Sequence, residues 1–293
     1  MPRILARYVN GNYHVLLYED GTKIKRTEED AFRADFPDSI DLKITDYCEN
    51  ACPMCHERSS RAGRHGNLAH SVIDTFPSGM EVAIGGGNPL SHPDLLPFLE
   101  RLKQRRIIAN LTVNVLDLRK ERGLVKRLLR ERLIYGLGVS CLTYDEFAVD
   151  FALSHPNAVL HLICGVFPLE ALRRMMGKPI KILLLGYKKV GKGREYFSSD
   201  VEKRLRETKA ALADILSGFK VISFDNAALE QLDIRGAIGE KRFSEIFMGA
   251  DGDASMYVDL VREEYALSSS TTERFHLTGD LQDCFRHLSK PIQ

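Results

Sequence analysis

The 293-residue sequence lacks several features that would place it in a specialised class of protein. Its six cysteines are too few for a disulfide scaffold. Its 41 Lys and Arg residues balance 40 Asp and Glu, and a net charge of +1 makes nucleic acid an unexpected partner. No stretch approaches the roughly 18 consecutive apolar residues of a membrane span. The first residues lack the apolar core of a secretory signal, so we expect a cytoplasmic protein without a membrane partner.

Short apolar runs alternate with amphipathic segments from about residue 41 onward. Near-continuous apolar strands separated by helices are typical of a parallel sheet that is covered on its faces. The periodicity favours an α/β fold but leaves a partial barrel and a doubly wound sheet open. Before residue 41, Asp20 and Gly21 lie between two strand-like runs, which predicts a β-hairpin.

Three of the cysteines, Cys48, Cys52 and Cys55, are crowded into eight residues directly after a predicted strand. Three soft thiolates at this spacing are typical of an iron–sulfur cluster in which one iron has no protein ligand. A structural zinc site is the alternative, but zinc normally takes four protein ligands. The nearest fourth ligand is His56, and adjacent residues rarely bind one metal together.

Two segments together resemble one family. CENACPMC resembles the C-x3-C-x2-C signature of radical S-adenosylmethionine (radical SAM) enzymes, and AIGGGNP resembles their glycine-rich second-strand motif. The resemblance covers residues 41–100, and the strand–helix alternation extends it to about residue 190. It implies a partial (β/α)6 TIM-like barrel. Together with the strand and helix pattern, this predicts an N-terminal β-hairpin extension at 1–40, a radical SAM barrel core at 41–218 and a mixed α/β C-terminal cap at 219–293.

The resemblance also implies a cofactor and roles for individual residues. Cys48, Cys52 and Cys55 would ligate three irons of a [4Fe–4S] cluster, and SAM would chelate the fourth. Reductive cleavage of SAM would then give methionine and a 5′-deoxyadenosyl radical. The positions that match SAM contacts of the family are Met54, Gly86, Gly87, Asn88, Asn114 and Ser140.

Two of these positions depart from the family pattern. Asn88 replaces the usual Glu, which removes a carboxylate near the SAM ammonium but keeps a carbonyl that can accept a hydrogen bond. Met54 replaces a common aromatic residue and, being apolar and adaptable, can still cover the adenine. Asn114 and Ser140 are assigned to SAM only because they lie near the ends of strands. Ordinary local hydrogen bonds are the alternative role for both side chains.

Other motifs are less specific. Cys141 follows Ser140 and is a candidate hydrogen-atom donor, although a buried small hydrophobic residue is the simpler interpretation. Segment 186–193 nearly spells a P-loop, but Gly193 stands where Ser or Thr must follow the lysine. Lys188 and Lys192 of this segment are instead candidates to meet an anionic part of the substrate.

The substrate is not identified by the sequence. A small molecule, a nucleotide-like metabolite and a peptide all remain open, and no second cysteine group marks an auxiliary-cluster domain. The resemblance implies an electron donor such as flavodoxin or ferredoxin. A non-catalytic iron–sulfur or SAM-binding sensor is the alternative function, and the departure at Asn88 keeps it open.

Overall fold

The chain forms two β-sheets, which a computed structural model describes over residues 2–289. The strands are β1 (Ile4–Asn10), β2 (Tyr13–Tyr18), β3 (Lys23–Arg26), β4 (Ser39–Thr45), β5 (Glu81–Gly86), β6 (Ile108–Asn114), β7 (Gly136–Cys141), β8 (Ala158–Ile163), β9 (Lys181–Leu185), β10 (Val221–Phe224), β11 (Ser255–Asp259), β12 (Glu264–Ala266) and β13 (Phe275–His276). The helices are α1 (Leu95–Gln104), α2 (Val115–Lys120), α3 (Arg122–Arg130), α4 (Glu146–Ser154), α5 (Leu169–Arg173), α6 (Lys192–Tyr196), α7 (Ser199–Ala210), α8 (Leu212–Gly218), α9 (Asn226–Gln231), α10 (Ile234–Ile238), α11 (Glu240–Ile246) and α12 (Leu281–Leu288).

The larger sheet has ten strands in the order β10-β9-β8-β7-β6-β5-β4-β11-β12-β13. All neighbours from β10 to β11 are parallel, and β12 and β13 continue the sheet antiparallel. Parallel neighbours need crossover connections, and those between β5 and β10 carry helices. The predicted α/β class with a large parallel sheet is confirmed. The predicted six-stranded form is not confirmed. Seven strands, β4 to β10, lie side by side in chain order, and β11 adds an eighth parallel strand next to β4.

The two faces of this sheet differ in chemistry because side chains alternate along each strand. One face is apolar and packs on the helices. For example, α1 turns Leu95, Phe98, Leu99 and Leu102 into the core at helical spacing. The other face, called the polar face here, carries Asp41, Lys43, Ala83, Gly85, Asn110, Thr112, Gly136, Gly138, Ser140 and His161. Among residues 2–289, no helix is both long and apolar enough to cross a membrane.

The smaller sheet is antiparallel and contains β1, β2 and β3. The turn at Asp20 and Gly21 joins β2 to β3, where the sequence predicts a hairpin, and β1 adds a third strand. Asp38 connects this sheet to the larger one through its backbone. Its N–H donates to the Ala254 carbonyl at 2.8 Å, and its carbonyl accepts from the Glu81 N–H at 3.0 Å.

The Asp38 carboxylate is the polar centre of this connection and is almost fully buried. It accepts hydrogen bonds from Tyr8 Oη at 3.2 Å, Asn10 Nδ2 at 2.8 Å and Tyr13 Oη at 2.8 Å. The Lys25 ammonium lies 2.7 Å from its second oxygen. Burial raises the pKa of both tyrosines, and the charge of Asp38 raises it further. A buried carboxylate with this many donors stabilises the contact between the two sheets.

We expect Asp38→Ala to lower the free energy of unfolding by about 3–5 kcal/mol, because it leaves the Lys25 ammonium buried without its partner. Urea denaturation followed by circular dichroism measures the loss. Glu29→Gln is the control, since it breaks an exposed pair with Arg33 and should change stability little. Equal losses in the two variants would contradict a structural role for Asp38.

Candidate functional site

The clustered cysteines lie in the loop that follows β4, called the cysteine loop here (residues 46–67). Sites of parallel sheets are built at the carboxyl ends of their strands, where this loop begins. The Cys48 N–H donates to the Ser60 carbonyl at 2.9 Å, so the loop folds back beside Cys48. The Cys55 N–H donates to the Cys52 carbonyl at 3.2 Å, which places these two residues in one turn. All three cysteine side chains are partly exposed.

The three thiols fit an iron–sulfur cluster. Burial raises the pKa of Cys52, and the charges of Cys55 and Cys48 raise it further. Within residues 2–289, no three His, Cys, Asp or Glu side chains are arranged to hold a single metal ion. A cluster makes a different demand, since each thiolate binds a separate iron. Soft sulfur donors held as neighbours at one protein surface meet that demand.

The glycine-rich segment after β5 packs directly against the cysteine loop. Gly86 has a φ of +110°, and a Cβ there would lie 2.4 Å from the Thr45 carbonyl oxygen. A Cβ on Gly87 would lie 2.2 Å from the Tyr47 carbonyl oxygen. These two carbonyls accept hydrogen bonds of 2.7 Å from the N–H groups of Gly87 and Asn88. The glycines therefore allow the two backbones to meet, and contact with SAM stays a prediction.

Two predicted SAM contacts also have local hydrogen bonds. Asn88 Oδ1 accepts from the Leu90 N–H at 3.1 Å and caps a short turn. Asn114 Oδ1 accepts from the Leu116 N–H at 2.9 Å and caps α2. The Asn88 carbonyl, which the sequence predicts as an acceptor for SAM, is thus already engaged. Its Nδ2 is the side-chain group left to meet a ligand.

A row of polar residues crosses three neighbouring strands. Ser140 on β7 is in register with Asn114 on β6 and with His161 on β8. The His161 imidazole lies over Gly138, where an added Cβ would be 2.2 Å from Cε1. Burial lowers the pKa of His161 to about 4, so the ring is neutral at pH 7. Sequence reasoning missed His161, although it is the polar residue of an apolar strand.

Cys141 lies on the opposite side of β7 from Ser140. Its side chain is buried in the apolar core, with Sγ 3.8 Å from the Val139 carbonyl. Burial raises the pKa of its thiol to about 12. The structure therefore does not bring Cys141 together with the polar row. Its suggested role as a hydrogen-atom donor is left without a geometric basis.

Met54 lies in an apolar cluster between the cysteine loop and the ends of β8 and β9. Its side chain is buried with Val166, Tyr187 and Val201. Val166 follows β8 and Tyr187 follows β9. An apolar cluster thus lies beside the cysteine loop, and contact of Met54 with the adenine of SAM stays a prediction.

The segment that nearly spells a P-loop packs on the cysteine loop. The Lys192 N–H donates to the Cys55 carbonyl at 3.1 Å, and Lys192 Nζ donates to the Ser59 carbonyl at 3.2 Å. Gly191 has a φ of +57°, and a Cβ there would lie 2.1 Å from the His56 carbonyl oxygen. Lys192 therefore holds the cysteine loop, a contact the sequence does not predict.

A buried ion network fixes the other side of the loop. The Lys43 side chain is 3% exposed, and its Nζ lies 2.6 Å from Asp46, 2.9 Å from Glu57 and 3.1 Å from Asp259. Burial acts to lower the pKa of Lys43, but the charges of Glu57 and Asp259 outweigh it and raise the pKa. Tyr257 Oη donates to Glu57 at 3.0 Å. The network joins the cysteine loop to β4 and β11.

The fold of this chain is similar to that of proteins whose structures have been solved. No protein-family model matches the sequence, and no curated protein matches it. Three structures of SuiB from Streptococcus suis do match. SuiB bound to precursor peptide SuiA aligns with 12% identity and a TM-score of 0.61, over 89% of this chain and 66% of SuiB. SuiB bound to S-adenosylmethionine aligns with 10% identity and a TM-score of 0.62, over 93% and 84%.

A further structure of SuiB aligns with 12% identity and a TM-score of 0.60, over 99% of this chain and 88% of SuiB. The chain shares the fold of SuiB. It spans just under two thirds of SuiB in the peptide-bound structure. At these identities the likeness concerns the fold, so the chemistry must be argued from the residues of this chain.

We expect Gly87→Ala to disturb the cysteine loop, because its Cβ would overlap the Tyr47 carbonyl. The free energy of unfolding should fall by about 1–3 kcal/mol, and less iron should bind after anaerobic reconstitution. Gly85→Ala is the matched control, since its Cβ would meet no atom within 4 Å. Iron assay and urea denaturation check both. Equal iron content in the two variants would show that this contact does not position the cysteines.

Proposed function

We propose that this protein is a radical SAM enzyme. It would hold a [4Fe–4S] cluster on Cys48, Cys52 and Cys55 and bind SAM beside it. The single observation that carries the proposal is the C-x3-C-x2-C spacing at the carboxyl edge of a parallel sheet. The fold likeness to SuiB, whose structure has been solved with S-adenosylmethionine bound, supports it.

Cys48, Cys52 and Cys55 would hold the cluster, which would supply the one electron needed for reductive cleavage of SAM and so for hydrogen abstraction from the substrate. The chain itself supplies the environment for that chemistry. Met54 and the apolar residues around it cover the adenine and exclude water. Asn88 Nδ2 and Ser140 Oγ are the polar groups proposed to orient the amino-acid and ribose parts of SAM.

A rigid cysteine loop is the second requirement, since small displacements of reacting groups are costly in rate. Lys43 holds the loop from the sheet through Asp46 and Glu57. Lys192 holds it from the opposite side through the Cys55 and Ser59 carbonyls. The loop is therefore held on both sides by contacts of the chain itself, and such contacts lower the entropy that ligand binding must offset.

The substrate is proposed to lie on the polar face, next to the 5′ carbon of SAM. Gly85, Gly136 and Gly138 have no side chains there, and the His161 ring occupies part of the space that Gly138 leaves. The neutral imidazole can donate and accept a hydrogen bond. A small molecule, a nucleotide-like metabolite and a peptide remain candidates. The precursor peptide in one SuiB structure supports including a peptide.

We expect anaerobic reconstitution to give about four irons per chain. Dithionite and SAM should then release 5′-deoxyadenosine, measured by chromatography. Cys52→Ala should bind less iron and lose this activity, because one thiolate of the set is gone. Cys284→Ala, which removes a buried cysteine of α12, should retain both.

One outcome would contradict the enzyme assignment. A reconstituted protein that keeps its cluster and binds SAM at equilibrium, yet releases no 5′-deoxyadenosine with dithionite, would favour the iron–sulfur or SAM-binding sensor. The two functions are separated because binding and cleavage are measured on the same sample.

A further inference from the structure

The outer surface beside the cysteines is basic, although the whole chain is nearly neutral. It is formed by the cysteine loop and by segment 187–197, which contact each other. The exposed charged residues of these two segments are the cations Arg58, Arg61, Arg64, Lys189 and Arg194 and the acids Glu49 and Glu195. We call this surface the basic face. In these two segments, five exposed cations thus stand against two exposed acids.

The two acids of the basic face are already paired. Glu49 lies 3.3 Å from Lys120, and Glu195 lies 2.8 Å from Arg58. Arg61, Arg64 and Arg194 form no ion pair with any other residue of the described chain, 2–289. Their charge is therefore free to act on a partner that approaches from solvent.

Arg61 and Arg64 lie in backbone segments that are hydrogen-bonded to the start of the cysteine loop, where β4 ends. Arg61 lies in the turn that the Gly63 N–H closes onto the Ser60 carbonyl at 3.0 Å, and the same carbonyl accepts from the Cys48 N–H. The Arg64 carbonyl accepts from the Asp46 N–H at 2.8 Å. Both positions are thereby held next to Cys48, and a protein bound to them would lie against the cysteine loop.

We propose that the basic face, centred on Arg61 and Arg64, is the docking surface of an acidic one-electron carrier protein. The inference rests on the proposed function, which consumes one electron for each SAM cleaved. A reduced flavodoxin or a reduced ferredoxin would be oxidised by one electron, the iron–sulfur site would be reduced by one, and no atom is transferred. Complementary charge steers such an encounter and fixes its orientation.

The test compares reductants. In the Arg61→Glu/Arg64→Glu double variant, 5′-deoxyadenosine formation with reduced flavodoxin or reduced ferredoxin at low salt should fall at least about tenfold. Formation with dithionite should stay within about twofold, since a small reductant needs no docking surface. Lys241→Glu/Arg242→Glu on α11 makes the same charge change at exposed positions and should leave the carrier-dependent rate unchanged. Running the two carriers separately shows which kind the face prefers.

Salt provides a second readout. Raising the salt concentration should weaken equilibrium binding of the carrier to the wild-type protein and slow their reaction, and it should affect the double variant less, because screening removes the same attraction. Carrier-dependent rates that fall equally in the two charge-reversal variants would overturn the docking surface. So would an equal loss with dithionite, which would make Arg61 and Arg64 structural.

The remaining outcomes separate the two levels of inference. If the wild type is active with dithionite and the double variant keeps the wild-type rate with the carrier, the docking surface is overturned and the proposed function stands. Wild-type protein that is inactive with dithionite overturns both. Binding of a short RNA that is lost in the double variant, with an unchanged carrier rate, would reassign the basic face to nucleic acid.

Discussion

A single buried ammonium group, Lys43 Nζ, sets the geometry on which the candidate site depends. A charge removed from water on a central strand must be compensated, and isolated burial would cost several kcal/mol. Asp46 and Glu57 provide that compensation from the cysteine loop, and Asp259 provides it from β11. The loop and the eighth parallel strand are thus held to the same point of β4.

Close backbone contacts at glycine residues also hold the cysteine loop in place. At Gly86, Gly87 and Gly191, backbone meets backbone so closely that a methyl group would overlap a carbonyl oxygen. The cysteine loop is therefore enclosed by the glycine-rich segment on one side and the segment after β9 on the other. Charge sets where the loop lies, and glycine sets how closely its neighbours approach. The thiols remain at the surface while the backbone that carries them is fixed.

Local sequence predicted those features that depend on neighbours along the chain. The alternation of strands and helices and the turn at Asp20 and Gly21 are of this kind. The pairing of β11 with β4 was not predicted, because no periodicity records that Ser255 will lie beside Ser39. The position of His161 over Gly138 and the hydrogen bonds of Lys192 to the cysteine loop are not predicted either, since these neighbours in space are distant in sequence.

Adjacent residues can also differ completely in their surroundings. Ser140 and Cys141 are consecutive, but strand alternation sends one to the polar face and the other into the apolar core. The sequence places both near a strand end but does not say which face of the sheet each side chain occupies. The interpretation of the three clustered cysteines depends on their chemistry rather than on their orientation, and it stays a prediction.

The position of Asp259 has a consequence for how the protein is made. Lys43 is translated before β11, the strand that supplies Asp259, one of its three carboxylate partners. Non-local parallel pairing of this kind is slow to form. On the ribosome, the loop that carries the cysteines is therefore complete long before the strand that finally fixes it. A nascent chain passes through a stage in which its thiols are present and their surroundings are still unfinished.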